Sequence, residues 1–330
     1  MKVVGGADTA NLIWDEIIDN TEIEEVSNAS IDKFLTNYIT HRFGKTKKNQ
    51  EFNVIVQQIE KTKVKTLLDD LKAKSKIYKN IVTGKGYNSK INYELNFLNL
   101  YKITQFRPIL LSLFSELTPN ETTKLENVLL TIKNFISIYI VIGSEKTNKL
   151  EKIIYKYSKE LNDEYSDELC KKFLEELYKE LPVKDDFVSK FGKLTYTNNK
   201  KLYPDFSKNY KKEITHVIKE YEIFTNSDDE YNVKEFTLEH VDDDSTGGLS
   251  YLIGNIIPLS KKDNKACNRK PIEEKIEIYN RSSYSAPRLL VSTMKKNFAN
   301  DSKYWNDEYV KNRTTKMANQ FYKEIWINKF

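Results

Sequence analysis

From Asn11 to about Leu181 the apolar residues recur three and four positions apart, the spacing that gives a helix one buried face. Ile31, Phe34, Leu35, Tyr38 and Ile39 make one such stripe, and Val64, Leu67, Leu68 and Leu71 another. Strand alternation is missing from this half of the chain. Thr118-Pro119-Asn120-Glu121 has the form of a capping box with proline at the first helical position. Leu125, Val128, Leu129, Ile132, Phe135 and Ile136 follow it at helical spacing, and Gly143 ends the run. Further helices are expected at 147–161 and, behind a Ser166 cap with acids in its first turn, at 167–181, where Pro182 stops the helix. The stretch 183–205 reads as an irregular connector to a long helix at 211–224. The expected fold is mainly α: an all-helical docking or sensing domain over 1–200, then a smaller domain over 201–330.

Composition narrows the class. A chain of 330 residues with 39% hydrophobic and 31% charged residues is a folded globular protein, longer than the roughly 250–300 residues that one core supports. The net charge of +5 is mild, but acid and base are segregated, with acidic residues gathered at 227–244 and basic ones at 261–281. Charge runs of this kind are most often solvated faces. Cys170 and Cys267 stand alone with no CxxC, which excludes a disulfide scaffold and a cysteine zinc knuckle. No GxxxxGK[ST] or GxGxxG occurs, so no phosphate loop is encoded. The N-terminus has no signal-like apolar segment, and the most apolar run, 134–142, is short of the roughly 18 residues of a membrane span. A cytoplasmic protein without membrane contact is expected.

Candidate chemistry centres on one of three histidines. His41 and His216 lie on amphipathic helical stretches and are expected to be structural and partly exposed. His240 ends a β-prone run, Phe236-Thr237-Leu238-Glu239-His240, and is followed by Gly247-Gly248 and a second apolar stretch, 254–259. The simplest structure is a hairpin opening into a helix at Lys261. Such a hairpin brings a carboxylate and an amide oxygen, both hard ligands for Mg²⁺ or Mn²⁺, beside an imidazole able to deprotonate water. The tail aromatics Phe298, Tyr304, Trp305, Tyr309, Phe321, Tyr322 and Trp326 are spaced as a helical core rather than as a base-stacking surface. Lys295, Lys296, Lys303, Lys311, Arg313 and Lys316 on the same stretch could line a DNA groove and would give backbone affinity rather than sequence reading.

FTLEH at 236–240, IGNIIPLSKKDN at 253–264, CNRKPIEEKIEIYNRSS at 267–283, Trp305 and VKNRTTKMANQFYKEIW at 310–326 together resemble a known family. It is the HNH (ββα-metal) nucleases, specifically the C-terminal nuclease domain of GmrSD-type modification-dependent (type IV) restriction endonucleases. WDEI at 14–17 and QFRPILL at 105–111 are similar to the helical region that precedes this domain. The resemblance implies a metal-dependent DNA endonuclease in which His240 is the general base and Glu239 the acidic ligand of Mg²⁺ or Mn²⁺. It implies that Asn255 ties the loop and positions the histidine, and that Asn264 is the second metal ligand, with Asn268 as its alternative. Lys275, then Arg269, Lys270 and Arg313, would contact DNA phosphates. Where the family has a proline after the histidine, this chain has Val241-Asp242-Asp243-Asp244, an acidic run that could join the metal site or repel phosphate. Ser260 and Asp263 stand where zinc-stapled relatives have cysteines, so no structural zinc is implied.

The setting implied is restriction of phage or other modified foreign DNA, beside a nucleotide-hydrolysing GmrS-like partner subunit, since no such domain is recognisable in this chain. A homo-oligomer or two successive nicks would each serve for a double-strand cut. The alternative reading is a catalytically weak subunit of a defence complex that binds nucleic acid or protein.

Overall fold

The computed structural model describes residues 4–26, 28–46, 53, 56, 64–117, 121–199, 209–226, 233–268, 270–298 and 305–327. The protein is mainly helical, with one two-stranded sheet among these residues. It divides into two compact units: 1–136 with 145–181, and 137–144 with 182–330. The chain passes between them at 136/137, at 144/145 and at 181/182, the last of these ahead of the boundary expected at 200. The physical reason lies in 184–196, which is no bare connector. Its helix buries Phe187 and Phe191 against Phe321 and Trp326, and Thr195 bridges to Leu252 beyond it.

The first unit contains α1 (Val4–Thr21), α2 (Ile31–Phe43), α3 (Val64–Thr83), α4 (Ser89–Leu100), α5 (Arg107–Glu116), α6 (Thr122–Ile136), α7 (Leu150–Asp163) and α8 (Asp167–Lys179). Ser30 and Ser166 cap α2 and α8 by accepting from Lys33 N and Leu169 N. The expected capping box of α6 falls on 118–120, outside the described residues. On α6, Leu125, Val128, Leu129, Ile132, Phe135 and Ile136 are buried, each contributing about 1.5–3 kcal/mol of apolar burial. Glu16 of α1 pairs with Lys72 and Lys76 of α3 at 2.6 and 2.9 Å. Arg107 is buried and donates to Asn28 O at 2.6 Å and Tyr78 Oη at 3.1 Å. This fixes the turn before α2 against α3.

Helix α6 runs on as a π-helical turn, Ser137–Ile142. By length and composition the whole stretch Thr122–Ile142 could cross a membrane, because the turns before 134 add apolar residues to the run. Most of it is buried inside the protein, as a core helix is.

His41 is fully buried, its Nδ1 2.8 Å from Ser112 Oγ, rather than partly exposed. Burial, with Lys74 and Arg42 nearby, pulls its pKa down to about 3. The folded state therefore holds it neutral while the unfolded chain takes up a proton below its ordinary value of 6.5. Stability from this site is complete at neutral pH and is lost as pH falls from about 6.5 towards 3, by about 1.4 kcal/mol per pH unit. Denaturant midpoints measured across that range should show a shallower fall in His41→Gln, which does not titrate. Parallel curves for the two proteins would refute this assignment.

The second unit holds α9 (Lys184–Phe191), α10 (Lys211–Thr225), β1 (Thr237–His240), β2 (Ile256–Leu259), α11 (Lys261–Cys267), α12 (Ile272–Asn280), α13 (Ser285–Phe298) and α14 (Asp307–Gln320). Strands β1 and β2 are antiparallel, with His240 opposite Ile256 and Glu239 opposite Ile257. Val241, Ile257, Leu259 and Cys267 pack on Ile278, Tyr279, Leu290, Val291 and Met294 to form the core under the hairpin. Ser260 caps α11: its Oγ accepts from Asp263 N at 3.0 Å and donates to Asp263 Oδ2 at 2.7 Å. This hydroxyl–carboxylate contact joins Ser260 and Asp263 at the start of α11, so neither side chain stands free there.

Helix α14 approaches the hairpin backbone so closely that a Cβ on Gly254 would lie 2.1 Å from Val310 O. Gly254 N donates to Thr314 Oγ1 at 3.0 Å in that contact. In the tail, Phe321, Trp326, Val310, Met317 and Ile325 are buried core, while Trp305, Tyr309 and Tyr322 are partly exposed. Tyr304 and the side chain of Phe298 lie outside the described residues. His216 is also buried, with Nε2 2.9 Å from Ser137 Oγ and its ring stacked on Trp326.

Candidate active site

Strand alternation sends Glu239 and His240 to opposite faces of the hairpin. Glu239 turns inward, 7% exposed, and its Oε1 accepts from Lys275 Nζ at 2.8 Å and Tyr279 Oη at 3.4 Å. His240 turns the other way and stacks on the Tyr196 ring, with centroids 5.3 Å apart and planes 16° apart. Its Nε2 lies 2.9 Å from Tyr196 O. A carbonyl only accepts, so Nε2 carries the proton and Nδ1 keeps its lone pair. Among the described residues nothing takes Nδ1. Burial lowers the imidazole pKa, against the pull of the Tyr196 carbonyl and the charges of Asp244 and Asp243. The ring is therefore neutral at neutral pH, the form a general base requires.

The loop after His240 is tied by Asn255, which is fully buried. Its Oδ1 accepts from Asp242 N at 2.9 Å and Trp305 Nε1 at 2.8 Å. Its Nδ2 donates to Asp242 O at 2.7 Å and Ser250 O at 2.6 Å. Every hydrogen-bonding position of the amide is used, so Asn255 positions the loop and has nothing left with which to touch a substrate. The acidic run is absorbed in the same way. Asp244 Oδ2 accepts from Thr197 Oγ1 at 2.8 Å and Asn198 N at 3.0 Å, and Asp242 Oδ2 accepts from Thr246 Oγ1 at 3.1 Å. Asp244 thereby holds the segment that presents Tyr196.

No family model matches the chain, and no curated protein matches it.

The implied metal pair does not fit a divalent cation as it stands. The Lys275 ammonium already occupies Glu239 Oε1 within a buried ion pair, and burial pushes the Glu239 carboxyl up towards its neutral form. Asn264 lies beside β1 and donates Nδ2 to Leu238 O at 3.0 Å. Its Oδ1, the atom able to meet a cation, has no partner among the described residues. Asn268 is exposed just past α11. Among the described residues no three histidine, cysteine, aspartate or glutamate side chains gather as a metal-binding group.

The four phosphate-contact candidates are scattered. Lys275 is 2% exposed and spends its protons on Glu239 Oε1, His240 O at 2.9 Å and Val241 O at 3.2 Å. In this structure it braces the hairpin from beneath and does not face solvent. Arg313 is half-buried, donating to Gly254 O at 2.6 Å and Ile256 O at 3.1 Å. Lys270 is exposed and pairs loosely with Glu274 at 3.7 Å. Arg269 lies outside the described residues. Exposed basic groups nearby are Lys261, Lys262 and Lys265 on α11.

The Tyr196 carbonyl, the residue that sets the histidine tautomer, escaped sequence reasoning, since a backbone oxygen leaves no trace in residue type. Trp305 was legible as a member of an aromatic series and as one piece of the resemblance, but its bond to Asn255 was not.

Proposed function

We propose that the chain is a DNA phosphodiester hydrolase of the HNH type, with His240 as general base and Asn255 as the residue that positions its loop. The observation that carries this reading is the His240 ring: neutral, fixed through Nε2 on Tyr196 O, with Nδ1 uncommitted among the described residues. Nδ1 would take a proton from water as the water oxygen attacks phosphorus, the scissile P–O ester bond would break on the opposite side, and the displaced alkoxide would take a proton from solvent. Asp243 and Asp244, whose charges favour the protonated ring, would stabilise the imidazolium that forms. The basic face of α11 would contribute salt-dependent backbone affinity. The proposed role is restriction of phage or modified foreign DNA, with target choice supplied by a nucleotide-hydrolysing partner subunit.

A second reading, a catalytically weak binding subunit, is favoured by one observation: the closure of Glu239 by Lys275. Incubation of purified protein with unmodified plasmid and with hypermodified phage DNA separates the two, run with Mg²⁺ or Mn²⁺ and again with EDTA. The hydrolase reading expects cleavage by the native chain, reduced about 10²–10⁴-fold in His240→Ala, with DNA retention unchanged. DNA retention without cleavage in any lane supports the binding subunit. The EDTA lanes read the requirement for metal independently of His240.

A further inference from the structure

A cleft of about 190 Å³ lies between α10, α13 and α14 in the second unit, and the proposed hydrolysis makes no use of it. Tyr221, Leu289, Trp305, Tyr309, Arg313 and Lys316 are among the residues that line it. Trp305 and Tyr309 stand nearly parallel, with centroids 6.3 Å and planes 16° apart. Leu289 at the rim is 47% exposed, an apolar side chain left open to solvent.

The charge in the cleft is one-sided. Arg313 Nη1 donates only to the neutral carbonyls of Gly254 and Ile256, and no carboxylate pairs with it among the described residues. Burial pulls its pKa down to about 10, so it stays charged at neutral pH without a counter-charge. Lys316, one turn further along α14, is exposed and likewise unpaired among the described residues. A half-buried guanidinium whose hydrogen-bond partners are neutral is stabilised by an anion, and flat aromatic faces beside it accept a planar ring.

The same walls hold the loop of the candidate active site. Trp305 bonds Asn255 directly, and Arg313 holds the carbonyls on either side of Asn255. An occupant would press on the segment that ties His240's loop.

We propose that this cleft binds a nucleotide, with the base against Trp305 and Tyr309 and the phosphate at Arg313 and Lys316. The ligand chemistry is shared by a free mononucleotide and by one nucleotide of a single strand, and the test separates them. The full chain is titrated with dAMP, dCMP, a short single-stranded oligodeoxynucleotide and inorganic phosphate, read by tryptophan emission and by calorimetry. Binding of dAMP or dCMP that exceeds inorganic phosphate is expected, weakened roughly tenfold by Tyr309→Ala or by Lys316→Glu. Both are partly or fully exposed positions, so thermal midpoints should stay unchanged. Tighter binding of the mononucleotide assigns the free ligand, and tighter binding of the oligonucleotide, lost in the same variants, assigns the strand. Binding is expected to survive His240→Ala, so it stands or falls apart from the hydrolase reading. Three results would overturn the proposal: no binding of nucleotide or oligonucleotide, binding that both variants leave intact, or inorganic phosphate binding as tightly as the nucleotides.

Discussion

Lys275→Met is expected to destabilise the second unit by about 3–5 kcal/mol, the usual cost of removing one partner from a buried ion pair. Lys275 and Glu239 are 2% and 7% exposed and 2.8 Å apart. Deleting the ammonium leaves a carboxylate in the hairpin core and strips the carbonyls of His240 and Val241 of their donor. The thermal midpoint should fall by about 10 °C. Adding Glu239→Gln to Lys275→Met removes the stranded charge and should recover part of the loss, because the carboxylate and not the missing lysine accounts for most of it. A single variant as stable as the native chain would mean that the pair is not formed. Lys275→Arg is no conservative repair: the planar guanidinium cannot place three protons on acceptors grouped around one tetrahedral nitrogen.

Asn255→Ala should cost about 3–5 kcal/mol and greatly slow any cleavage. It leaves Asp242 N, Asp242 O, Ser250 O and Trp305 Nε1 without their partner, and each buried orphan costs about 1–3 kcal/mol before relaxation and water entry recover some of it. The loop that follows His240 then loses its link to Trp305 and keeps Asp244 on Thr197 and Asn198 and Leu249 N on Asp307. Asn255→Asp separates the contributions, since its oxygens still accept from Asp242 N and Trp305 Nε1 but face two carbonyls they cannot bond. An Asp variant between Ala and native in both melting and single-turnover cleavage is the expected order. Equal activity in all three proteins would remove Asn255 from any positioning role.

Much of the helical body was legible because burial on one face writes itself into the spacing of apolar residues. The stripe on α6 and the Ser166 cap of α8 are examples. The hairpin was legible from a β-prone run, a glycine pair and the asparagine that follows. Lys275 was offered as a phosphate contact by the resemblance, and the sequence also carries a sign of its burial: Lys275, Ile278 and Tyr279 lie at i, i+3 and i+4 and share the buried face of α12. Arg313 follows the same rule, three positions after buried Val310 and four before buried Met317. Glu239 and His240 look like a pair in sequence, yet a strand sends neighbours to opposite faces, and only His240 remains open to water. The 184–196 stretch spaces Phe187, Phe191 and Leu194 as a helix face, masked by Gly192 and the polar run after it, and its contribution to the hairpin through Leu194, Thr195 and Tyr196 emerged only in three dimensions.

The central claim is that His240 Nδ1 removes a proton from the attacking water, and imidazole rescue tests it most directly. Single-turnover cleavage of DNA is followed for the native chain, for His240→Ala, and for His240→Ala or His240→Gly with added imidazole. The account predicts native cleavage, a loss of about 10²–10⁴-fold in the variants, and a return of rate that rises with the concentration of neutral imidazole. Cleavage by His240→Ala at the native rate would contradict it.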